Sequence, residues 1–301
     1  QITPQRALLG SCGQAVIRAS LRAMSTAFFT HPACLDHRMP DGHPECVERL
    51  KHVLAALDTP AFAALARHQA PPAPEIELLR CHPQAYIDEI RAAIPTEGLR
   101  PLDADTHVSP GSFTGALAGV GQALGALDAV MAGEAKNAFA AIRPPGHHAE
   151  TARPMGFCLF GTVAIAARRA LDHHGLSRVA VVDFDVHHGN GTQDLLWDEG
   201  RVLFVSSHQM PLWPGTGEAS ERGAHENILN LPLPPGCNGA MFRAAYENHV
   251  FPRLEAFSPE LVLVSAGFDA HIEDPLAQLA LEVEDFVWIT RRLCELADRH
   301  A

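Results

Sequence analysis

The 301-residue chain is 47% hydrophobic and 19% charged, enough for one large core without forcing two domains. Its net charge of −12, from 23 basic and 35 acidic residues, argues against direct nucleic-acid binding or an anionic membrane partner. No apolar run is read as reaching the ~20 residues of a membrane span. The seven scattered cysteines, without Cys-x-x-Cys, point to reduced thiols and a cytoplasmic protein.

Residues 1–23 carry Arg6, Arg18 and Arg22 and no acidic residue, and Met24 opens a plausible start. They are expected to be a leader or a non-native extension, and disordered. Ala27–Thr30 reads as a first strand. A polar loop with His43-Pro44-Glu45 follows, then a helix through Leu57. Pro71, Pro72 and Pro74 mark a connection, Ile76–Arg80 a short strand, and Pro83–Ala93 a helix. Residues 94–111 form a Pro/Gly/Asp-rich loop long enough to expect function from it. Ser112–Met131 is a helix of small residues suited to close packing, ended by Gly133.

Beyond Gly133 the alternation is regular. The strand Ala138–Ile142 leads through the loop Arg143–Gly156 to the helix Gly161–His174. Val179–Val182 is a run expected of a strand buried on both faces. It passes into Asp183, Asp185 and His187, whose i, i+2, i+4 spacing would set them on one side of a strand. Thr192 is positioned to cap a short helix, Gln193–Trp197. The strand Val202–Ser206, an extended Ile228–Leu233, the helix Gly239–Phe257, the strand Leu261–Ser265 and the helix Val283–Arg299 complete the order. This pattern predicts a single-domain, three-layer α/β/α fold around a mostly parallel sheet.

Three strands deliver polar residues at their carboxyl ends, which in a parallel sheet lie on one edge. They are Arg143–His148, then Asp183, Asp185 and His187, then Ala266–Asp269. Asp185, His187 and Asp269 make a three-ligand set that leaves room for water and substrate, as in a catalytic metal site. Such a set suits zinc and also accepts Fe(II), Mn(II) or Co(II). His147 and His148 are candidates for general acid–base work. Asp183 and Asn190 could hold their outer nitrogens.

The strings Arg143-Pro-Pro-Gly-His-His-Ala-Glu150, Asp183-Phe-Asp-Val-His-His-Gly-Asn-Gly-Thr-Gln193, Trp213-Pro-Gly-Thr-Gly217 and Ser265-Ala-Gly-Phe-Asp-Ala-His271 together resemble the zinc-dependent histone deacetylase family. This family has the arginase–deacetylase fold, and the likeness is strongest to bacterial class II-like members. His43-Pro-Glu-Cys-Val-Glu-Arg-Leu50 is similar to the family's N-terminal motif. The resemblance makes 24–301 a deacetylase domain and implies one Zn2+ per chain on Asp185, His187 and Asp269. It implies tandem acid–base histidines, His147 and His148, with His148 the principal base. Asp183 and Asn190 would stand behind them, Asn190 where other members use Asp. Gly156, Phe157, Trp213 and Leu276 would line a narrow acyl-lysine channel. A structural K+ would use Asp183, Asp185 and Ser206.

The implied reaction is hydrolysis of an N-ε-acyl-lysine or related acyl-amine. Leu276, where an acid would favour polyamines, argues modestly for acyl-lysine over acetylpolyamine. A ureohydrolase is the weaker enzyme reading, because His188-Gly189-Asn190 breaks the Asp-rich pattern of a two-manganese site. The family also uses an oxyanion tyrosine after one further strand; the two tyrosines here, Tyr86 and Tyr246, stand in other contexts. The domain is therefore expected to lack its last strand and helix, with weak activity and stability. That leaves a catalytically weak acyl-lysine reader as the non-enzyme alternative. A homo-oligomer is left open.

Overall fold

The computed structural model describes residues 26–300, and the expectation for residues 1–23 lies outside them. In chain order the strands are β1 (Thr26–Phe29), β2 (Ala66–His68), β3 (Arg100–Pro101), β4 (His107–Val108), β5 (Asn137–Ala140), β6 (Val179–Asp183), β7 (Val202–Gln209), β8 (Ile228–Leu233) and β9 (Leu261–Ser265). The helices are α1 (Val47–Leu57), α2 (Gln84–Ala93), α3 (Ser112–Met131), α4 (Thr162–Asp172), α5 (Asn190–Leu196), α6 (Gly239–Ala245), α7 (Phe251–Phe257) and α8 (Val283–His300).

Two all-parallel sheets carry the fold, ordered β2-β1-β5 and β8-β7-β6-β9, and β3-β4 is a separate antiparallel ribbon. The expected three-layer, mostly parallel α/β architecture is what the chain adopts. The sheet is nevertheless in two pieces. Among the described residues, β5 and β9 each have one edge without a ladder partner.

β6 explains why the second sheet is the centre. Its alternating side chains serve opposite faces. Val179 and Val181 pack with Ala164 and Ala167 of α4 and Leu195 of α5. Ala180 and Val182 pack with Phe242 of α6, Leu254 of α7 and Ile289 of α8. Each fully buried valine contributes roughly 1.5 kcal/mol or more. With apolar layers on both faces, the polar residues are pushed to the strand ends, where the turns after β6 and β9 lie side by side.

Several local expectations are corrected. Ile76–Arg80 is not a strand but part of a 3-10 helix, Glu75–Arg80; Pro74 starts it and Glu77 pairs with Arg80 one turn on. β2 and the β3-β4 ribbon were not foreseen, since Ala66-Arg-His and Arg100-Pro carry no apolar alternation. The helix expected over 239–257 is interrupted by a π-turn at Tyr246–Val250. Helix α5 starts at Asn190 with Gly189 at its cap, so Thr192 lies inside it and is not the cap. Helix α3 is long and apolar enough to cross a membrane by composition, contrary to the sequence reading. In this fold 61% of that stretch is buried, against β1, β5 and α4.

Candidate active site

The site is built on the turns that follow β6 and β9. β6 ends at Asp183, so Asp185 and His187 are not on one side of a strand as expected; a turn brings them together. Side chains fasten that turn. Asp183 Oδ1 accepts from the Asp185 N–H at 3.1 Å, and Asp185 Oδ1 accepts from the His187 N–H at 2.9 Å. From the β9 side, Asp269 Oδ1 accepts from the Val186 N–H at 3.0 Å.

The result is one point of convergence. His187 Nδ1 lies 3.2 Å from Asp185 Oδ1 and 3.0 Å from Asp269 Oδ2. One ligand atom from each of the three falls within 4.8 Å of the others. Burial disfavours a charge on His187, but Asp185 and Asp269 outweigh it and push its pKa up to about 10. Two carboxylates facing one imidazole nitrogen call for a cation between them. The donor set fits a divalent metal with open positions. Gly267 makes the approach possible, because a Cβ there would fall inside the Asp185 carboxylate.

Beside this triad stand two adjacent histidines, their rings tilted 42° to each other with centroids 3.8 Å apart. His147 Nδ1 donates to Asp183 Oδ2 at 2.9 Å, and its Nε2 lies 3.8 Å from Asp185 Oδ2. Burial opposes its charge, yet Asp183, Asp185 and Asp269 raise its pKa to about 9. His148 is different. Burial, reinforced by the neighbouring His147 charge, drives its pKa well below the ordinary value. Its Nδ1 lies 2.8 Å from Asn190 Oδ1, and the Asn190 amide donates from Nδ2 to Glu150 Oε1 at 2.8 Å. Glu150 thereby fixes which end of the amide faces His148. The histidine must donate through Nδ1 and keeps a lone pair at Nε2.

The loop carrying these histidines is anchored from beneath. Arg143 makes a two-pronged pair with Glu45, the second contact at 2.7 Å, and donates to the carbonyls of Cys34 and His37. Both partners are almost fully buried. At its far end, His82 bridges Thr151 O and the Gly161 N–H.

The predicted channel residues divide. Trp213 stands edge-on to His148 at 4.7 Å and to His187 at 6.0 Å, while 41% exposed to solvent. Gly156 backs onto the same two rings, His148 and Trp213. Phe157 has a left-handed backbone, φ 67°, rare outside glycine and of order 1 kcal/mol in cost. Thr106 Oγ1 accepts its N–H at 3.1 Å, and His43 packs edge-on against its ring at 4.8 Å. Leu276 is 41% exposed. It sits on an exposed turn whose N–H donates to Asp274. Ser206 is the register partner of Asp183, and its hydroxyl faces His208 Nδ1 at 3.0 Å. Tyr86 and Tyr246 both point inward, bonded to Leu159 O and Ser207 Oγ.

Sequence reasoning missed Glu150, Thr106, His82 and the Glu45–Arg143 pair as parts of the site. Glu45 stood in the recognised His43-Pro-Glu string, yet nothing local links it to a residue 98 positions away.

The sequence model of the histone deacetylase domain matches residues 43–301. A histone deacetylase-like amidohydrolase of Pseudomonas aeruginosa is 40% identical over 86% of this chain and 70% of its own. A human polyamine deacetylase is 38% identical over 91% of this chain and 44% of its own. The crystal structure of the HDA15 HD domain superposes with a TM-score of 0.87 at 31% identity, covering 92% of this chain and 81% of that one.

Proposed function

The chain belongs to the histone deacetylase family, and from that premise we propose that it is a zinc-dependent hydrolase that releases acetyl groups from N-ε-acetyl-lysine. Deacetylase-type amidohydrolysis is the activity of the family. Zinc, the lysine substrate and the residue roles are our own reading. The observation that carries it is the convergence of Asp185, His187 and Asp269 beside a histidine whose free nitrogen is Nε2.

Asp185, His187 and Asp269 would hold the ion. Zinc bound there supplies Lewis-acid polarisation of the acyl carbonyl and of water. The protein's own residues do the rest. His148, neutral and oriented by Asn190, takes a proton from the attacking water at Nε2 and returns one to the departing amine nitrogen. His147, held cationic by Asp183, lends positive charge to the oxygen that gains negative charge as the amide is attacked. Trp213 and Gly156, with Phe157 next in the chain, would wall the approach and exclude water around the reacting amide. The same reading allows a monovalent ion at Asp183, Asp185 and Ser206, supported by the register that sets Asp183 opposite Ser206.

A second reading, acetylpolyamine hydrolysis, is favoured by the likeness to the human polyamine deacetylase. Acetate release from an acetyl-lysine peptide and from acetylspermidine, each with zinc and with a chelator, decides between them. Chelator-sensitive turnover of the peptide, abolished in Asp269→Ala, is expected. A strong preference for acetylspermidine would overturn the lysine assignment, and turnover indifferent to the chelator would overturn the metal.

A further inference from the structure

Behind the site lies a buried polar cluster that the reaction does not use. His188 and His208 lie with ring centroids 4.7 Å apart, both almost fully buried. A second metal site is the obvious thought, but all four ring nitrogens already have partners. His188 Nδ1 meets Thr216 Oγ1 at 2.8 Å and its Nε2 meets Gln193 Oε1 at 3.1 Å. His208 Nδ1 meets Ser206 Oγ at 3.0 Å and its Nε2 meets Gly217 O at 3.0 Å. Because a carbonyl can only accept, His208 must donate through Nε2, and its Nδ1 must accept the Ser206 hydroxyl. The tautomer is fixed without any ion.

Two of these four partners, Thr216 and Gly217, belong to the loop that carries Trp213. His208 belongs to β7, in the rigid central sheet. Gly217 takes a left-handed backbone, φ 94°, and a Cβ there would come within 2.5 Å of His208 Nε2 and 2.7 Å of His188 Cγ. The loop is thus seated directly on the two imidazoles. Its N–H side is held as well: Gly217 N donates to Glu221, which also accepts from Gln193 at 2.6 Å.

We infer that His208 is a positioning residue: by holding Gly217 O it fixes the Trp213 loop and sets the width of the cleft over His148. Removing the ring leaves Gly217 O without its donor and the Ser206 O–H without its acceptor, and opens a void beneath the loop tip. Trp213 then loses its fixed edge-on seat. The effect on substrate rests on the functional reading above, whereas the effect on Trp213 does not.

The test uses the whole chain labelled with 5-fluorotryptophan and followed by 19F NMR, with Trp213→Phe assigning its resonance and Trp288 of α8 as the internal reference. In His208→Leu the Trp213 resonance is expected to shift or broaden while that of Trp288 stays in place. KM for an acetyl-lysine peptide is expected to rise about fivefold to tenfold with kcat within about twofold. His208→Gln, whose Nε2 can still donate to Gly217 O, returns both readouts toward the parent values. Gly217→Ala pushes on the same contact from the loop side and should move Trp213 in the same way if His208→Leu does not fold. An unmoved Trp213 resonance in the folded variants, or a fall in kcat at constant KM, would overturn the assignment. A parent protein without turnover would undo the deacetylase reading alone, since the Trp213 signal is read without substrate.

Discussion

Asn190 Oδ1 accepts the His148 Nδ1 proton at 2.8 Å, and Glu150 holds the opposite end of the same amide. An amide in that place orients His148 without charging it, which suits a base that must begin the reaction neutral. A carboxylate would raise the pKa of His148, commonly by about 1 unit or more. In Asn190→Asp alone, the new acid would face Glu150 across the bond it now shares, so the repulsion would blur the result. Asn190→Asp with Glu150→Gln restores a donor to the new carboxylate. We expect the acid limb of its pH profile for kcat/KM to move upward by about 1 unit. A limb that stays in place would mean that His148 is not the titrating base.

Gly267 offers a way to disturb the metal centre without touching a ligand. A methyl group at this position would occupy the Asp185 carboxylate, so either that side chain or the turn after β9 must move. Gly267→Ala should therefore bind zinc at least about tenfold more weakly, comparable to losing an outer-shell partner of a metal ligand. Zinc content by elemental analysis at limiting free metal checks this, together with a far-UV spectrum to show that the fold persists. Parent-like affinity in Gly267→Ala would remove Asp185 from the ligand set.

Much of this was legible in the chain, for reasons that differ by element. The Val179–Val182 run could be read as a doubly buried strand because both of its faces meet apolar layers. The triad could be read because its members follow strand ends that parallel pairing brings to one edge. β2 could not be read, since Ala66-Arg-His is mostly exposed and paired on one side. Nor could the fastening of the site. Glu150 is ordinary in sequence, and its role appears only when α5 brings Asn190 against it. His208 is one histidine among 18 until Gly217 folds over it. The ligand chemistry was written locally, and the orientation of each ligand was written in distant partners.

The Glu45–Arg143 pair holds the tandem-histidine loop by a buried charge, and breaking it should be costly. Glu45→Leu strands the Arg143 guanidinium with two carbonyl partners and no counter-charge, a loss of about 3–5 kcal/mol. Adding Arg143→Met removes the stranded charge and should recover part of that loss. Full recovery is not expected, because the carbonyls of Cys34 and His37 are then left without a donor. Urea unfolding of the parent, both single variants and the double variant gives the cycle. A Glu45→Leu protein within about 1 kcal/mol of the parent would show that the pair is incidental.

His82 ties the other end of the same loop, and its chemistry makes that tie sensitive to pH. Its Nδ1–H donates to Thr151 O at 3.1 Å, and its Nε2 accepts from the Gly161 N–H at 2.9 Å. Only the neutral ring can do both, since a proton at Nε2 would confront the Gly161 donor. Burial pushes its pKa down to about 4 from an ordinary 6.5. The unfolded chain therefore binds this proton more readily than the fold does between those two values. The contribution of His82 to stability is complete above pH 6.5 and is lost as the pH falls toward 4. Between pH 7.5 and 5.5 one such histidine costs about 1 kcal/mol. In His82→Gln, stability at pH 7.5 should be lower, and the further loss on going to pH 5.5 should be smaller than in the parent by about that amount. Urea midpoints at the two pH values measure it. An unchanged difference between them would show that the ring is not held neutral between Thr151 and Gly161.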